Sequence, residues 1–442
     1  MKPLVAVVGR PNVGKSTFFN KVVGRRVAIV EDTPGVTRDR IYADAEWRGR
    51  VFTLIDTGGI DPNTSDILLS QMRRQAEIAI ETADLILFMV DARGGVTSDD
   101  LDVADMLRRA AKPVLLVANK ADTPGLDLES VDFFELGLGD PFPASSANML
   151  GLGDLLDAIL ERLPGAEAAR DEEEDGSIRL AIVGKPNAGK SSLVNRLMGK
   201  ERVMVSDIPG TTRDAVDTDL TVNGQTFTLI DTAGIRRKRS VEDDSLERYG
   251  VLRAIAAIRR CDVAVLLIDA VYGATDQDAK IAGLVHDEGR ALVVAVNKWD
   301  AVEKETGTLE AYTRKVRDQL KFASYAPVLF ISAKTGQRAA SVTEAAREAY
   351  RQSRRRIPTG VLNEAVNDAV AAMQPPASGG RRLRIYYATQ PSVAPPSFLF
   401  FVNDETLAHF SYRRYLENQL RKAFGFEGSP IKLTFRNRSR PE

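Results

Sequence analysis

The sequence predicts an α/β protein, with two mostly parallel sheets carrying helices on both faces and a small α+β domain after them. Three observations carry this expectation. A glycine-rich octapeptide occurs twice, GRPNVGKS at 9–16 and GKPNAGKS at 184–191. Each copy follows an apolar run, LVAVV at 4–8 or LAIV at 180–183, and opens a helical pattern. Downstream, apolar strands alternate with helical stretches, and such alternation argues for parallel strands joined by helical crossovers.

The elements follow in order. LVAVV reads as a strand buried on both faces, since such strands are continuous apolar runs. VFTLIDTGGI (51–60), LILFMVDA (85–92) and LVANKAD (116–122) supply further strands, and SDDLDVADMLRRAA (98–111) a helix. Sliding the chain by 175 residues lays TPGVTRD (33–39) on IPGTTRD (208–214) and VFTLIDTGGI on TFTLIDTAGI (226–235). The offset grows to 178 where LVANKAD meets VAVNKWD (294–300). A period this long means duplicated domains rather than a solenoid. Between the copies, PGAEAARDEEEDGS (164–177) has no apolar period and reads as a flexible acidic linker. Beyond it and the second copy come a helix (361–373), strands (382–390 and 398–403), an amphipathic helix (412–424) and a strand (431–437), an αββαβ order. The expected domains are therefore 1–163, the linker 164–177, 178–355 and 356–442.

Composition narrows the function. A net charge of −1 excludes a uniformly basic nucleic-acid binder. Residues 351–442 nevertheless carry 15 Lys and Arg against 7 Asp and Glu, a local excess of about +8 that points to RNA phosphates. The single cysteine, Cys261, cannot form an internal disulfide; it reads as a small buried hydrophobe and fits a reducing compartment. No apolar run reaches membrane-spanning length, and the first residues lack the layout of a cleavable signal. A soluble, cytoplasmic, monomeric protein is expected, with neither membrane nor DNA as partner.

The octapeptide matches G-x-x-x-x-G-K-[ST], whose open backbone aims N–H groups at phosphates. Gly9, Arg10, Pro11, Asn12, Val13 and Gly14 form the first cradle; Lys15 reaches the outer phosphates and the Ser16 hydroxyl joins magnesium. Gly184, Lys185, Pro186, Asn187, Ala188, Gly189, Lys190 and Ser191 repeat the arrangement. The base is specified by Asn119, Lys120, Ala121 and Asp122, and again by Asn297, Lys298, Trp299 and Asp300. Asp122 or Asp300 can accept hydrogen bonds from both the ring N–H and the exocyclic amine of guanine, which adenine does not offer in that arrangement. The lysine stems lie along the ring, and the asparagines tie this loop to the phosphate loop. Ser145, Ser146 and Ala147 (SSA), with Ser332, Ala333 and Lys334 (SAK), sit where a further base-contacting loop belongs.

Asp56, Thr57, Gly58 and Gly59 form one D-x-x-G; Asp231, Thr232, Ala233 and Gly234 form the other. The aspartates suit magnesium through water, and Gly59 and Gly234 can offer N–H groups to the terminal phosphate. Thr37 and Thr212 are candidates for magnesium and for sensing that phosphate. The expected metal set is thus Ser16, Thr37, Asp56, Ser191, Thr212 and Asp231. The expected catalytic set is Lys15, Lys190, Asn12, Asn187, Thr37, Thr212, Gly59 and Gly234. Ile60 and Ile235 stand where many GTP hydrolases carry a water-orienting glutamine, so unaided hydrolysis should be slow. The missing positive charge can come from a monovalent cation, potassium, held by Asn12 and Asn187.

Together with QPP (374–376), GRR (380–382) and GSPIKL (428–433), these motifs resemble the Der (EngA) family of bacterial tandem-G-domain ribosome-assembly GTPases over essentially the whole chain. The resemblance implies two P-loop NTPase G domains and a C-terminal KH-like domain. It also implies GTP hydrolysis coupled to maturation of the large ribosomal subunit, rRNA or pre-ribosomal contacts, magnesium with GTP or GDP, and stimulation by potassium. Three departures stand out. Ala188 replaces the usual valine, an apolar exchange. QRAASV (337–342) lacks the glycine-rich turn that GLG (151–153) provides in the first copy, so a stiffer loop is expected. GFEG (425–428) follows a helix and precedes a strand, so a helix-ending turn is expected rather than an RNA clamp. Segments 61–70 and 236–245 are expected to be switch loops, and RRKR (236–239) suits rRNA, the KH-like domain or solvent. A nucleotide-gated scaffold with one non-hydrolysing domain competes with the switch reading; a tRNA-modifying or membrane-remodelling GTPase lacks the cysteine system or the lipid-binding segment it would need.

Overall fold

The computed structural model describes residues 3–23, 42–56, 68–110, 112–122, 129–163, 176–200, 217–231, 245–378 and 381–437. The first sheet contains β1 (Leu4–Val8), β2 (Tyr42–Trp47), β3 (Arg50–Asp56), β4 (Leu85–Asp91), β5 (Val114–Asn119) and β6 (Phe142–Ala144). Their order across the sheet is β2-β3-β1-β4-β5-β6, parallel except at the β2–β3 edge. Helices α1 (Lys15–Val23), α2 (Leu68–Thr82), α3 (Ser98–Arg109) and α4 (Leu152–Arg162) belong to this half. All five residues of β1 are buried, as befits a central strand covered on both faces. Phe18, Phe19 and Val22 of α1 join the same core as Val5, Val7 and Leu87.

The second sheet repeats the first strand for strand. It comprises β7 (Ile178–Val183), β8 (Thr218–Val222), β9 (Gln225–Ile230), β10 (Val263–Asp269), β11 (Ala291–Asn297) and β12 (Val328–Phe330), in the order β8-β9-β7-β10-β11-β12. Helices α5 (Lys190–Lys200), α7 (Asp276–Asp287), α8 (Thr308–Gln319) and α9 (Ser341–Ser353) accompany it, and α6 (Ser245–Arg260) precedes β10 in the chain. Cys261 is fully buried just before β10, its thiol directed at the Ile258 carbonyl at 3.2 Å and pushed up to about 12 by burial. It is the small hydrophobe the sequence suggested.

The C-terminal part has α10 (Thr359–Ala372), a two-residue hairpin of β13 (Ala377–Ser378) and β14 (Arg381–Arg382), then β15 (Ile385–Ser392), β16 (Ser397–Val402), α11 (Phe410–Phe424) and β17 (Lys432–Asn437). Apart from the small hairpin this is the αββαβ order. β15 pairs antiparallel and β17 parallel with β16. Leu362 and Val366 of α10 and Leu416 and Leu420 of α11 pack with Phe398, Phe400 and Val402 of β16.

The chain divides into two compact units, residues 1–174 with 242–256, and residues 175–241 with 257–442. The second unit thus joins the second sheet to the C-terminal part, and GFEG lies at their junction. Gly425 ends α11 with a φ of +86°, its N–H donating to the Arg421 carbonyl at 2.8 Å. The Gly428 N–H donates to the Tyr325 carbonyl at 2.8 Å, and its carbonyl accepts from Leu292 at 2.7 Å. A Cβ on Gly428 would lie 2.5 Å from that of Ala349. GFEG is therefore both a helix-ending turn and a point where backbone meets backbone across this unit.

Candidate functional site

Each octapeptide spans the gap between a buried strand and the following helix, at the carboxyl edge of its sheet. The glycines there are required by space. Gly9 has a φ of +154°, and a Cβ would fall 2.1 Å from the Met89 carbonyl oxygen; at Gly14 (φ +99°) it would fall 2.2 Å from the Asn119 amide nitrogen. Gly184 and Gly189 meet Leu267 and Asn297 in the same way, at 2.4 and 2.2 Å.

Lys15 is 6% exposed and turns back over the loop, its ammonium donating to the carbonyls of Gly9 (2.6 Å) and Arg10 (2.7 Å). Burial pulls its pKa down to about 8, with the Asp56 carboxylate acting in the opposite direction. Lys190 repeats this contact on Gly184 at 2.6 Å and on the Lys185 carbonyl. The Ser16 hydroxyl donates to Asp56 at 2.6 Å, so two of the expected metal-binding groups converge. An oxygen-only pair of this kind suits a hard cation such as magnesium. In the second copy Asp231 has a φ of +58°, and its N–H donates to the Asp217 carboxylate at 3.0 Å. Asn12 and Asn187 are exposed and share left-handed φ values of +65° and +61°. Pro11 and Pro186 are exposed beside them, while Val13 and Ala188 are buried. Thr37, Thr57, Gly58, Gly59, Ile60, Thr212, Thr232, Ala233, Gly234 and Ile235 lie outside the described residues, as does RRKR. Of the expected switch segments, 68–70 begin α2 and Ser245 begins α6.

The N-K-x-D motifs begin at the last residues of β5 and β11. The Asn119 amide donates to the Val13 carbonyl at 2.6 Å, and its oxygen accepts from the N–H and hydroxyl of Ser146, both at 2.9 Å. Asn297 donates to the Ala188 carbonyl at 2.8 Å and accepts from the Ala333 N–H at 2.8 Å. One amide on each side thus locks the phosphate loop to the base-contacting loop. Lys120 and Lys298 take left-handed φ values of +69° and +63° and pair with Asp91 and Asp269, each at 2.6 Å. Burial would raise the Asp91 carboxyl, but hydrogen bonds from Lys120 and the Arg93 N–H outweigh it and hold the group below its ordinary range. Ala121 donates its N–H to the Ala144 carbonyl at 3.0 Å, whereas Ala147 is exposed. Trp299 is buried against Phe330 and Tyr312, with ring centroids 4.5 and 5.1 Å away.

Several contacts among these residues were not expected from the sequence. Ser145 donates to Asp122 at 2.5 Å, and this bond is the main reason the carboxyl is held below its usual range; Arg93 and Asn148 act in the same direction. The Ser332 hydroxyl does the same for Asp300. Arg10 reaches the fully buried Asp100 at 3.1 Å, and Lys185 reaches Asp278 at 3.6 Å. Those two aspartates also close the capping boxes that start α3 and α7, with Thr97 and Thr275 as partners. The signal was present in the repeat, because DARGGVTSDD (91–100) aligns with DAVYGATDQD (269–278) at the offset of 178. The turn after the second base loop is retained without its glycine: Arg338 adopts a φ of +55° where Gly151 has +68°. Gly336, with a φ of +84°, completes that turn.

Comparison with known proteins matches these features to two family descriptions. Residues 4–120 and 179–298 match a family described as 50S ribosome-binding GTPase. Residues 356–436 match the C-terminal KH-domain-like region of EngA bacterial GTPase enzymes. Among curated relatives, GTPase Der of Lachnospira eligens is 55% identical over 442 residues, covering 100% of both chains. GTPase Der of Ruminiclostridium cellulolyticum is 56% identical over 440 residues, covering 99% of each. Among solved structures, the FeoB G domain of Methanococcus jannaschii is 27% identical, covering 37% of this chain and 98% of that one, with a TM-score of 0.27.

Proposed function

The chain belongs to the Der (EngA) family of GTPases, and from that premise we propose that its two guanine-nucleotide sites form a switch controlling association with rRNA or pre-ribosomal particles during large-subunit assembly. As a member of that family it binds and hydrolyses GTP through two P-loop G domains followed by a KH-like domain. The observation that carries the switch reading is the duplication of one arrangement, phosphate loop locked to base loop by Asn119 in one copy and Asn297 in the other. Two separately occupied sites give several nucleotide states on one polypeptide.

The site residues divide the work by chemistry. The loop N–H groups from Gly9 to Ser16 and from Gly184 to Ser191 hold the phosphates, and Lys15 and Lys190 leave their carbonyl partners for phosphate oxygens. Asp122 and Asp300 read guanine, oriented by Ser145 and Ser332. Ser16 with Asp56, and Ser191 with Asp231, would hold magnesium, joined by Thr37 and Thr212. When bound, magnesium supplies charge that offsets the phosphates. Hydrolysis is slow unaided because Ile60 and Ile235 cannot orient water, and Asn12 and Asn187 bind an activating potassium ion. Equal turnover in potassium and sodium would refute the last point. The protein acts as a cytoplasmic monomer in this reading; among the described residues no helix is long and apolar enough to cross a membrane.

Cosedimentation with ribosomal subunits in the presence of a GTP analogue, GDP or neither tests the proposal. Association should change with the nucleotide. Binding that ignores the nucleotide removes the switch and leaves the hydrolase.

A further inference from the structure

We propose that the open face of the C-terminal sheet is a stacking platform for single-stranded RNA, centred on Tyr387, Phe401 and Arg436. The proposal rests on the reading that this chain acts on ribosomal RNA, and assigns the surface that would do so.

Strand pairing places these three side chains in one row. Tyr387 pairs with Phe401 across β15 and β16, and Phe401 with Arg436 across β16 and β17. Alternation along each strand sends their neighbours Ala388, Phe400 and Phe435 to the opposite face, where they are buried in the core with α10 and α11. The row therefore faces away from both helices. Tyr387 is 44% exposed and its ring lies 6.1 Å from that of Phe401; Arg436 is exposed. Tyr386, at a register irregularity between Ile385 and Tyr387, is 43% exposed with the Arg384 guanidinium 5.6 Å from its ring.

Charge favours a nucleic acid as the occupant, and the turn geometry leaves the sheet face rather than a loop to hold it. Residues 356–442 carry 12 Lys and Arg against 7 Asp and Glu, so the domain attracts polyanions. Its G-x-x-G turn is spent on the backbone contacts of Gly428 with Tyr325 and Leu292, so that loop does not grip a nucleic-acid backbone. Exposed aromatics on a pleated sheet with a cation in the same row are how unstacked bases are held on other sheets: rings take the base faces and the guanidinium takes phosphate.

The test uses the full chain with GDP or a GTP analogue and a fluorescein-labelled oligouridine of about twelve nucleotides, read by anisotropy. Tyr387→Ala should weaken binding about tenfold. Arg436→Ala should lower the slope of log affinity against log salt by about 0.7. Arg414→Ala, exposed on α11, should leave the stacking loss unmoved. Unchanged melting temperature and GTP turnover verify that the variants are folded. Wild-type affinity in Tyr387→Ala, or no oligouridine binding by the wild type, overturns the platform even if nucleotide-dependent cosedimentation persists. Loss of cosedimentation by Tyr387→Ala with RNA binding intact also overturns it, and assigns the face to a protein. If the wild type fails to sediment with subunits while Tyr387→Ala loses oligouridine binding, the platform stands and the ribosomal reading falls.

Discussion

Truncation of the locking asparagines should harm the two nucleotide sites unequally. Asn119→Ala deletes three hydrogen bonds, those to the Val13 carbonyl and from the Ser146 N–H and hydroxyl. Asn297→Ala deletes two, to the Ala188 carbonyl and from the Ala333 N–H. Both asparagines are 2% exposed, so water does not readily replace the lost partners. At about 1 kcal/mol per bond the losses are about 3 and 2 kcal/mol, and the difference corresponds to about fivefold in an equilibrium constant. Because the bonds join the phosphate loop to the base loop, the loss should fall on nucleotide affinity as well as on stability. Binding of fluorescent GDP would be measured at one site with the other disabled by Lys190→Ala or Lys15→Ala. GDP affinity should fall by more than tenfold at both sites, and further at the first. Wild-type affinity in either variant, or a greater loss at the second site, would refute the reasoning.

Three other outcomes are expected. With the second site disabled, GDP binding at the first should take up almost no proton at pH 7 and close to one at pH 9. The reason is that Lys15 titrates at about 8 when empty and phosphate raises that value, so affinity is full below about 8 and falls above it; calorimetry in buffers of different ionisation enthalpy reads the uptake. His286 is held down at about 4, first by burial and then by the Arg421 and Lys432 charges, while an unfolded histidine titrates near 6.5. The unfolded chain therefore binds the proton more readily, and stability present above pH 6.5 should be lost as pH falls toward 4, by about 3 kcal/mol. Thermal melts should show this slope diminished in His286→Gln. Finally, Gly428→Ala places a Cβ 2.5 Å from that of Ala349 at a φ of +75°. It should cost about 2 kcal/mol or more, seen as faster hydrogen exchange at 424–430 with nucleotide binding at the first site unchanged.

Much of this protein was legible because its chemistry is local in sequence. The octapeptides, the D-x-x-G aspartates and the N-K-x-D motifs each need particular residues at fixed short spacings, and their duplication removed ambiguity. Strand positions followed from unbroken apolar runs such as LVAVV, which only a doubly covered sheet can bury. What resisted reading was pairing over distance. Ser145 and Asp122 are 23 positions apart, Arg10 and Asp100 are 90 apart, and only the folded sheet edge brings each pair together. Arg338 could not be foreseen in a left-handed turn, because propensity assigns that conformation to glycine and the surrounding loop overrides it.

By itself the sequence determined that two phosphate loops exist, that guanine is the base, and that an αββαβ domain follows. Tertiary structure decided how those parts are used. It brought Arg10 to Asp100 and Lys185 to Asp278, tying each phosphate loop to the start of a helix about 90 residues away. It also sent GFEG into the second sheet's domain and left Tyr387, Phe401 and Arg436 on the outer face. The physical reason is that backbone hydrogen bonding and burial depend on partners distant in the chain: a motif states which groups are present, and only packing decides which of them meet.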